Sequence, residues 1–316
     1  MKFKFLLYIF TFLFIATSNA ETTFIWGIST ELHYFNKVAI EFKNTIESKT
    51  NGRVKIIIQK YDDLKNEKSS QDFFKENKYH IHQQLAGNYY SQSPNLKIWN
   101  IPFLFKNDQH VEKYLNSKKA QDNLKLLEND DLLPIDYTFS GGFIYAYGPK
   151  PLQAFSDLEG KKLSIMYDFG FNSDFLKPKN IDITLKTYTI VDNEFHETLG
   201  SDLADLLGIV DLEKTYFTVT NHRIISRILF VSKKQIEKMT QHDRNIFISE
   251  LKKFARKERA LANDGKKLSL ELFKNRGHHL HFWNKNDIKK AQEYFRGSYD
   301  MYYKNLKSEI DFIHSL

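Results

Sequence analysis

The chain has 316 residues, a formal net charge of +7 and no cysteine. Without a thiol it can form no disulfide and no thiolate metal site, so a chain of this length has to be held by apolar burial. Its basic residues are spread along the chain rather than gathered on one face or helix, which argues against a nucleic-acid binder, and its length suggests two lobes of ordinary domain size.

Lys2 and Lys4 make a basic start, residues 5–15 are apolar except for Thr11, and Ser18-Asn19-Ala20 supplies the small residues of a signal peptidase site. The sequence therefore predicts a signal peptide over residues 1–20 and a mature chain from Glu21. The rival, an uncleaved anchor, needs about 20 apolar residues to span a bilayer, and this run is shorter. Thr23-Phe24-Ile25-Trp26-Gly27-Ile28 reads as a buried strand, with Ser29-Thr30 able to cap a following helix. Phe35, Val38, Ala39, Phe42 and Ile46 then fall at helical spacing, and Asn51-Gly52 supplies the left-handed turn that ends the helix. Residues 53–59, rich in Ile and Val, read as a second strand, so the unit is βαβ and a parallel sheet is expected.

Further on, the pattern predicts a polar helix around 72–78, a strand over 79–84, a helix over 108–127 and an aromatic strand over 143–147. Gly148-Pro149-Lys150-Pro151 is the strongest punctuation in the chain and the expected crossing between lobes. After it come the stretches 156–166 and 181–185, a helical patch near 194–207 ending at Gly208, and a long helix carrying Phe247, Leu251, Phe254, Ala255 and Ala262. Residues 277–283 alternate as a strand would, and a final helix carries Ile288, Ala291, Phe295, Tyr299, Tyr302, Leu306, Ile310 and Ile313.

Several stretches in this order resemble one family. They are Ser48-Lys49-Thr50-Asn51-Gly52-Arg53-Val54, Ile101-Pro102-Phe103-Leu104-Phe105, Pro151 with Asp157-Leu158-Glu159-Gly160-Lys161-Lys162, Gly208-Ile209-Val210-Asp211-Leu212-Glu213, and Thr220-Asn221-His222. The chain resembles the DctP-type solute-binding proteins of tripartite ATP-independent periplasmic (TRAP) transporters along nearly the whole mature length. The resemblance implies an α/β, two-lobed periplasmic-binding-protein-like fold with helical inter-lobe crossings. It also implies a periplasmic location, and a small organic ligand, normally an organic acid, delivered to a sodium-coupled TRAP permease. Lobe I would comprise residues 21–147 plus about 235–276, and lobe II residues 148–234 plus about 277–316. Hinged lobes would close on the ligand, since only differential affinity for the closed state shifts that equilibrium. Strand-end positions Ser29, Glu31, His33, Tyr89, Tyr145, Ser164, Tyr167, Asp211, Glu213 and Tyr216 would line the cleft. A monomer with no nucleic-acid partner is expected.

The same resemblance marks departures. The family's arginine two residues after a glycine is here Ile144, its arginine in the Asp-Leu-x-Gly motif is Ser164, and Asp211-Leu212-Glu213 is one residue short of the usual Asp-Gly-x-Glu. An arginine fork clamps a carboxylate through two charge-assisted hydrogen bonds, and neither Ile nor Ser can do so. Lys162, Lys150, Arg223 or His33 could replace the cation, the ligand could lack a carboxylate, with Tyr145, Tyr147, Tyr167 and Tyr216 making an aromatic cleft, or binding could be lost.

His278-His279-x-His281 puts two imidazoles on one strand face, yet no neighbouring Asp, Glu or Cys completes a zinc set. No metal and no cofactor are therefore expected. Nucleophile elbows, zincin motifs and phosphate-binding glycine loops are missing, so the reading is not an enzyme. A secreted interaction or structural protein that reuses the scaffold is the alternative, and an exported hydrolase a more distant one.

Overall fold

The computed structural model describes residues 21–28, 33–60, 78–166, 171–185, 194–200 and 213–316. The expected signal peptide and nearly all of the expected helix at 72–78 lie outside them.

Strand β1 (Thr22–Ile28), helix α1 (His33–Lys49) and strand β2 (Val54–Lys60) form the βαβ unit, with β1 and β2 parallel and in register from Thr22↔Val54 to Ile28↔Lys60. Helix α1 buries Val38, Ala39, Phe42 and Ile46 on one face. Its end is built as the sequence predicts: Asn51 and Gly52 take φ of 49° and 74°, and the Gly52 amide donates to the Glu47 carbonyl at 2.8 Å. The left-handed region costs glycine nothing, and asparagine tolerates it.

Strand β3 (Ile81–Leu85) follows, then the short helices α2 (Asp108–Leu115) and α3 (Lys118–Lys125). The helix expected over 108–127 breaks at Asn116, because the Ser117 side chain accepts from the Ala120 amide and starts a new helix. Strand β4 (Leu132–Gly148) is much longer than the aromatic run that announces it. Beyond it lie β5 (Lys162–Ile165), β6 (Asp182–Leu185), β7 (Phe195–Leu199), β8 (Tyr216–Val219) and β9 (Ile224–Ser232). The chain ends with α4 (Lys233–Ile236), α5 (Gln241–Asn275), β10 (His279–Phe282), α6 (Lys285–Tyr294) and α7 (Arg296–His314).

One expectation is overturned here. Residues 195–199 fall in the patch read as helical but form β7, held between β4 and β5 with all five side chains buried. A strand covered on both faces loses its alternation, so periodicity cannot distinguish it from buried helix. The expected last helix is also two helices, divided at Phe295, which is fully buried with its ring 5.0 Å from Phe155.

The strands order as β2-β1-β3-β9-β4-β7-β5-β6, with β8 on β4 and β10 on β8. Strand β4 belongs to two sheets. Its first half pairs antiparallel with β9, its second half with β7 and β8, and the register breaks between Phe139 and Phe143. The change of sheet thus falls inside β4, ahead of the Gly148–Pro151 punctuation, and β9 joins the sheet of β1–β3. Helix α5 braces both halves. Its 35 residues span about 52 Å; Phe247, Leu251, Phe254 and Ala255 pack into the first core, whereas Ala262 and Phe273 pack into the second.

Candidate functional site

Residues 220–223 join β8 to β9 at the point where β4 changes sheets. Asn221 has φ of 49°, and Thr220, His222 and Arg223 are all buried. The Ile144 amide on β4 donates to the Arg223 carbonyl at 2.9 Å, which fixes this turn against the crossing strand. Glu197, fully buried on β7, completes the group.

The geometry is a closed hydrogen-bond set. Arg223 donates from Nε to Glu197 Oε1 at 3.2 Å and from Nη2 to Glu197 Oε2 at 2.5 Å. His222 Nε2 lies 2.9 Å from Glu197 Oε1, and the Met166 amide donates to Oε2 at 3.1 Å. A carboxylate only accepts, so Nε2 carries the imidazole proton and Nδ1 accepts from the Thr220 hydroxyl, 2.7 Å away. Phe171 covers one face of Arg223, its ring centre 4.6 Å from Cζ, and lies over His222 as well.

The charges follow from this arrangement. Burial, the largest influence, would raise the Glu197 carboxyl, but the Arg223 charge and the His222 hydrogen bond together hold it well below the usual carboxylate range. Burial lowers His222 against the pull of Glu197, so the ring is neutral near pH 7. The Tyr90 phenol is raised by burial and opposed by the nearby Arg223 charge, so it stays a neutral hydroxyl.

Beside the pair, Ile144, Leu199 and Ile225 form a small buried apolar cluster with Leu85 and Met166 packed against it, separate from both lobe cores. Its members come from β3, β4, β7, β9 and the end of β5, so it is a piece of packed core where these strands meet. Of the cations proposed as substitutes, Arg223 is the one buried at this place. Lys162 pairs with Glu194 at 3.6 Å, Lys150 is exposed, and His33 is described only as the first backbone position of α1.

The sequence-predicted positions scatter. Ser29, Glu31, Tyr167 and Asp211 lie outside the described residues. Tyr89 is buried with its ring 4.9 Å from Phe230, whereas its neighbour Tyr90 comes within the field of Arg223. Tyr145 is buried where Gly200 meets Lys266. Ser164 is buried on β5 opposite His196. Glu213 is in an exposed turn, and Tyr216 stacks on His279 at 4.5 Å, next to the β4 end at Gly148. Among the described residues no three His, Cys, Asp or Glu side chains are placed to hold a metal ion. Glu197 escaped the sequence reading, although a carboxylate inside the otherwise apolar and neutral run Phe195–Leu199 was a signal that a buried partner exists.

The chain matches the model of the DctP family, "Bacterial extracellular solute-binding protein, family 7", over residues 28–172 and 213–305. It belongs to this DctP family. A solute-binding protein of Verminephrobacter eiseniae is 22% identical over 255 residues, 79% of this chain and 76% of that protein. Two solved folds lie close to this DctP protein. A TRAP periplasmic solute-binding protein from Ochrobactrum anthropi, with its C-terminus bound in the ligand-binding pocket, has a TM-score of 0.80 at 14% identity, covering 94% of this chain and 95% of that one. Another from Shewanella oneidensis, with bound succinate, has a TM-score of 0.79 at 13% identity, covering 93% and 98%. The DctP protein is therefore a solute-binding protein and not an enzyme, and no described helix is long and apolar enough to cross a membrane.

Proposed function

We propose that this DctP protein is exported to the periplasm, captures a small organic acid between its two sheets as a monomer, and hands it to the membrane subunits of a TRAP transporter. The observation that carries the acid is Arg223: a guanidinium buried at the crossing, only partly spent on Glu197. It takes the place of the two family arginines that the sequence lacks at Ile144 and Ser164. The bound succinate of the Shewanella oneidensis protein agrees with an anionic ligand. Lobes on either side of the register break in β4 would close over the acid, with α5 as the common brace.

Closure gives the test. The radius of gyration in solution scattering is expected to fall when the bound acid is added to ligand-stripped protein. An unchanged radius across a broad panel of organic acids, sugars and amino acids would sink the capture role.

A further inference from the structure

Resting on the transporter reading, we propose that a groove between α6, α7 and residues 101–104 engages the membrane subunits, with Phe103 tying it to the crossing. The groove has a volume of about 480 Å³. Ile101, Phe103, Leu104 and Ile310, all buried, make its floor. Phe103 has φ of 59°, a left-handed conformation that a bulky residue keeps only where its surroundings impose it. Its amide donates to the His222 carbonyl at 2.7 Å, and its ring stacks on Trp283 with centres 6.0 Å apart. His222 in turn bonds Glu197. A shift of the turn at 220–223 therefore moves the floor of the groove, so a partner seated there distinguishes loaded from empty protein.

The rim favours a protein partner over a second small ligand. A small-molecule pocket needs a few polar groups converging on its occupant. Here the Tyr299 hydroxyl is taken by the Pro102 carbonyl, and the Tyr303 hydroxyl by Asp311 at 2.6 Å. The charges stand on the rim, on exposed Lys289, Glu293, Arg296 and Asp300. They follow one another at helical spacing and alternate in sign, yet none forms an ion pair among the described residues. Lys307 and Asp311, further along α7, do pair at 2.5 Å. An apolar centre with a charged rim, tyrosine and arginine among its residues, is the make-up of a protein–protein contact. The segment that fits brings an apolar side chain to the floor and charges of the reverse order to the rim. An anionic lipid surface would meet two acids among these four charges and is disfavoured.

Two measurements test this, both with the acid that compacts the protein in scattering. The chain lacks cysteine, so a single Gln292→Cys takes one environment-sensitive thiol dye at the groove. Its emission is expected to shift when the acid is added, because the floor follows the crossing. Arg296→Glu combined with Asp300→Lys keeps the net charge and is checked for folding by its melting transition. In proteoliposomes carrying the TRAP membrane subunits, this variant is expected to lower acid uptake at least about tenfold, with acid affinity and compaction unchanged. The unaltered protein is expected to sediment with these proteoliposomes and not with bare vesicles of the same lipid. Unchanged uptake in the variant, or an emission that ignores the acid, overturns the inference and leaves acid capture standing. Sedimentation with bare vesicles would mean a lipid surface, and a matching loss of acid affinity a defect of the fold; either overturns it too. If no acid compacts the unaltered protein, the capture role falls and this inference with it.

Discussion

Arg223→Leu is expected to destabilise the protein by about 3–5 kcal/mol, because it leaves the Glu197 charge buried and unpaired. Both side chains are buried to within 1% of full coverage. Removing two such charges from water is costly, and the two Arg223–Glu197 hydrogen bonds with the His222 and Met166 donors offset that cost only as a set. The double replacement Glu197→Leu with Arg223→Leu is expected to recover much of the loss, since neither charge then remains buried. Urea midpoints of the two single variants and the double variant measure the coupling directly. A single-variant loss of less than about 1 kcal/mol, the worth of an exposed pair, would mean that water reaches Arg223 and that the crossing is open in solution. Acid binding is expected to vanish in both Arg223 variants, because the double variant restores packing but not the guanidinium.

The second large effect concerns Glu258 on α5. Its Oε2 accepts from the Phe139 amide at 3.0 Å, just where β4 begins to change sheets, while Oε1 is buried with no hydrogen-bond partner among the described residues. Burial pushes this carboxyl up to about 8, with the Phe139 amide, Arg227 and Arg259 only partly opposing it. The folded pKa lies above the unfolded value of about 4.3. Stability from Glu258 is therefore fully present below about pH 4.3 and is lost as pH rises through 8. Gln keeps the acceptor for Phe139 and does not ionise. Glu258→Gln is expected to stabilise the protein by about 3 kcal/mol more at pH 8 than at pH 5. Urea unfolding at the two pH values checks it; equal gains at both would show that Glu258 titrates as a solvated carboxyl.

The elements that could be read from the sequence are those with one face in water. Helix α1 shows its period because Val38, Ala39, Phe42 and Ile46 are buried while Lys37 and Ile40 are exposed. Helix α5 shows it for the same reason over a greater length. Strands β7, β8 and β9 did not, because they lie inside the sheets: β9 buries eight of its nine residues and β7 all five. With no wet face there is no alternation to see.

The site divides along the same line. Sequence alone determined the family, the βαβ start and the turn at Asn51-Gly52, since each depends on residues close together in the chain. Arg223 was one of four candidate cations, with nothing local to choose among them. Only the tertiary structure shows it buried and paired with Glu197. The antiparallel register of β4 with β7 sets Ala146 opposite Glu197, and the pairing of β4 with β9 brings Arg223 to the same crossing from 26 residues away. Burial then makes their pairing obligatory, because an ion excluded from water needs a counter-ion within hydrogen-bond reach. That requirement acts across strands and leaves no local pattern in the chain.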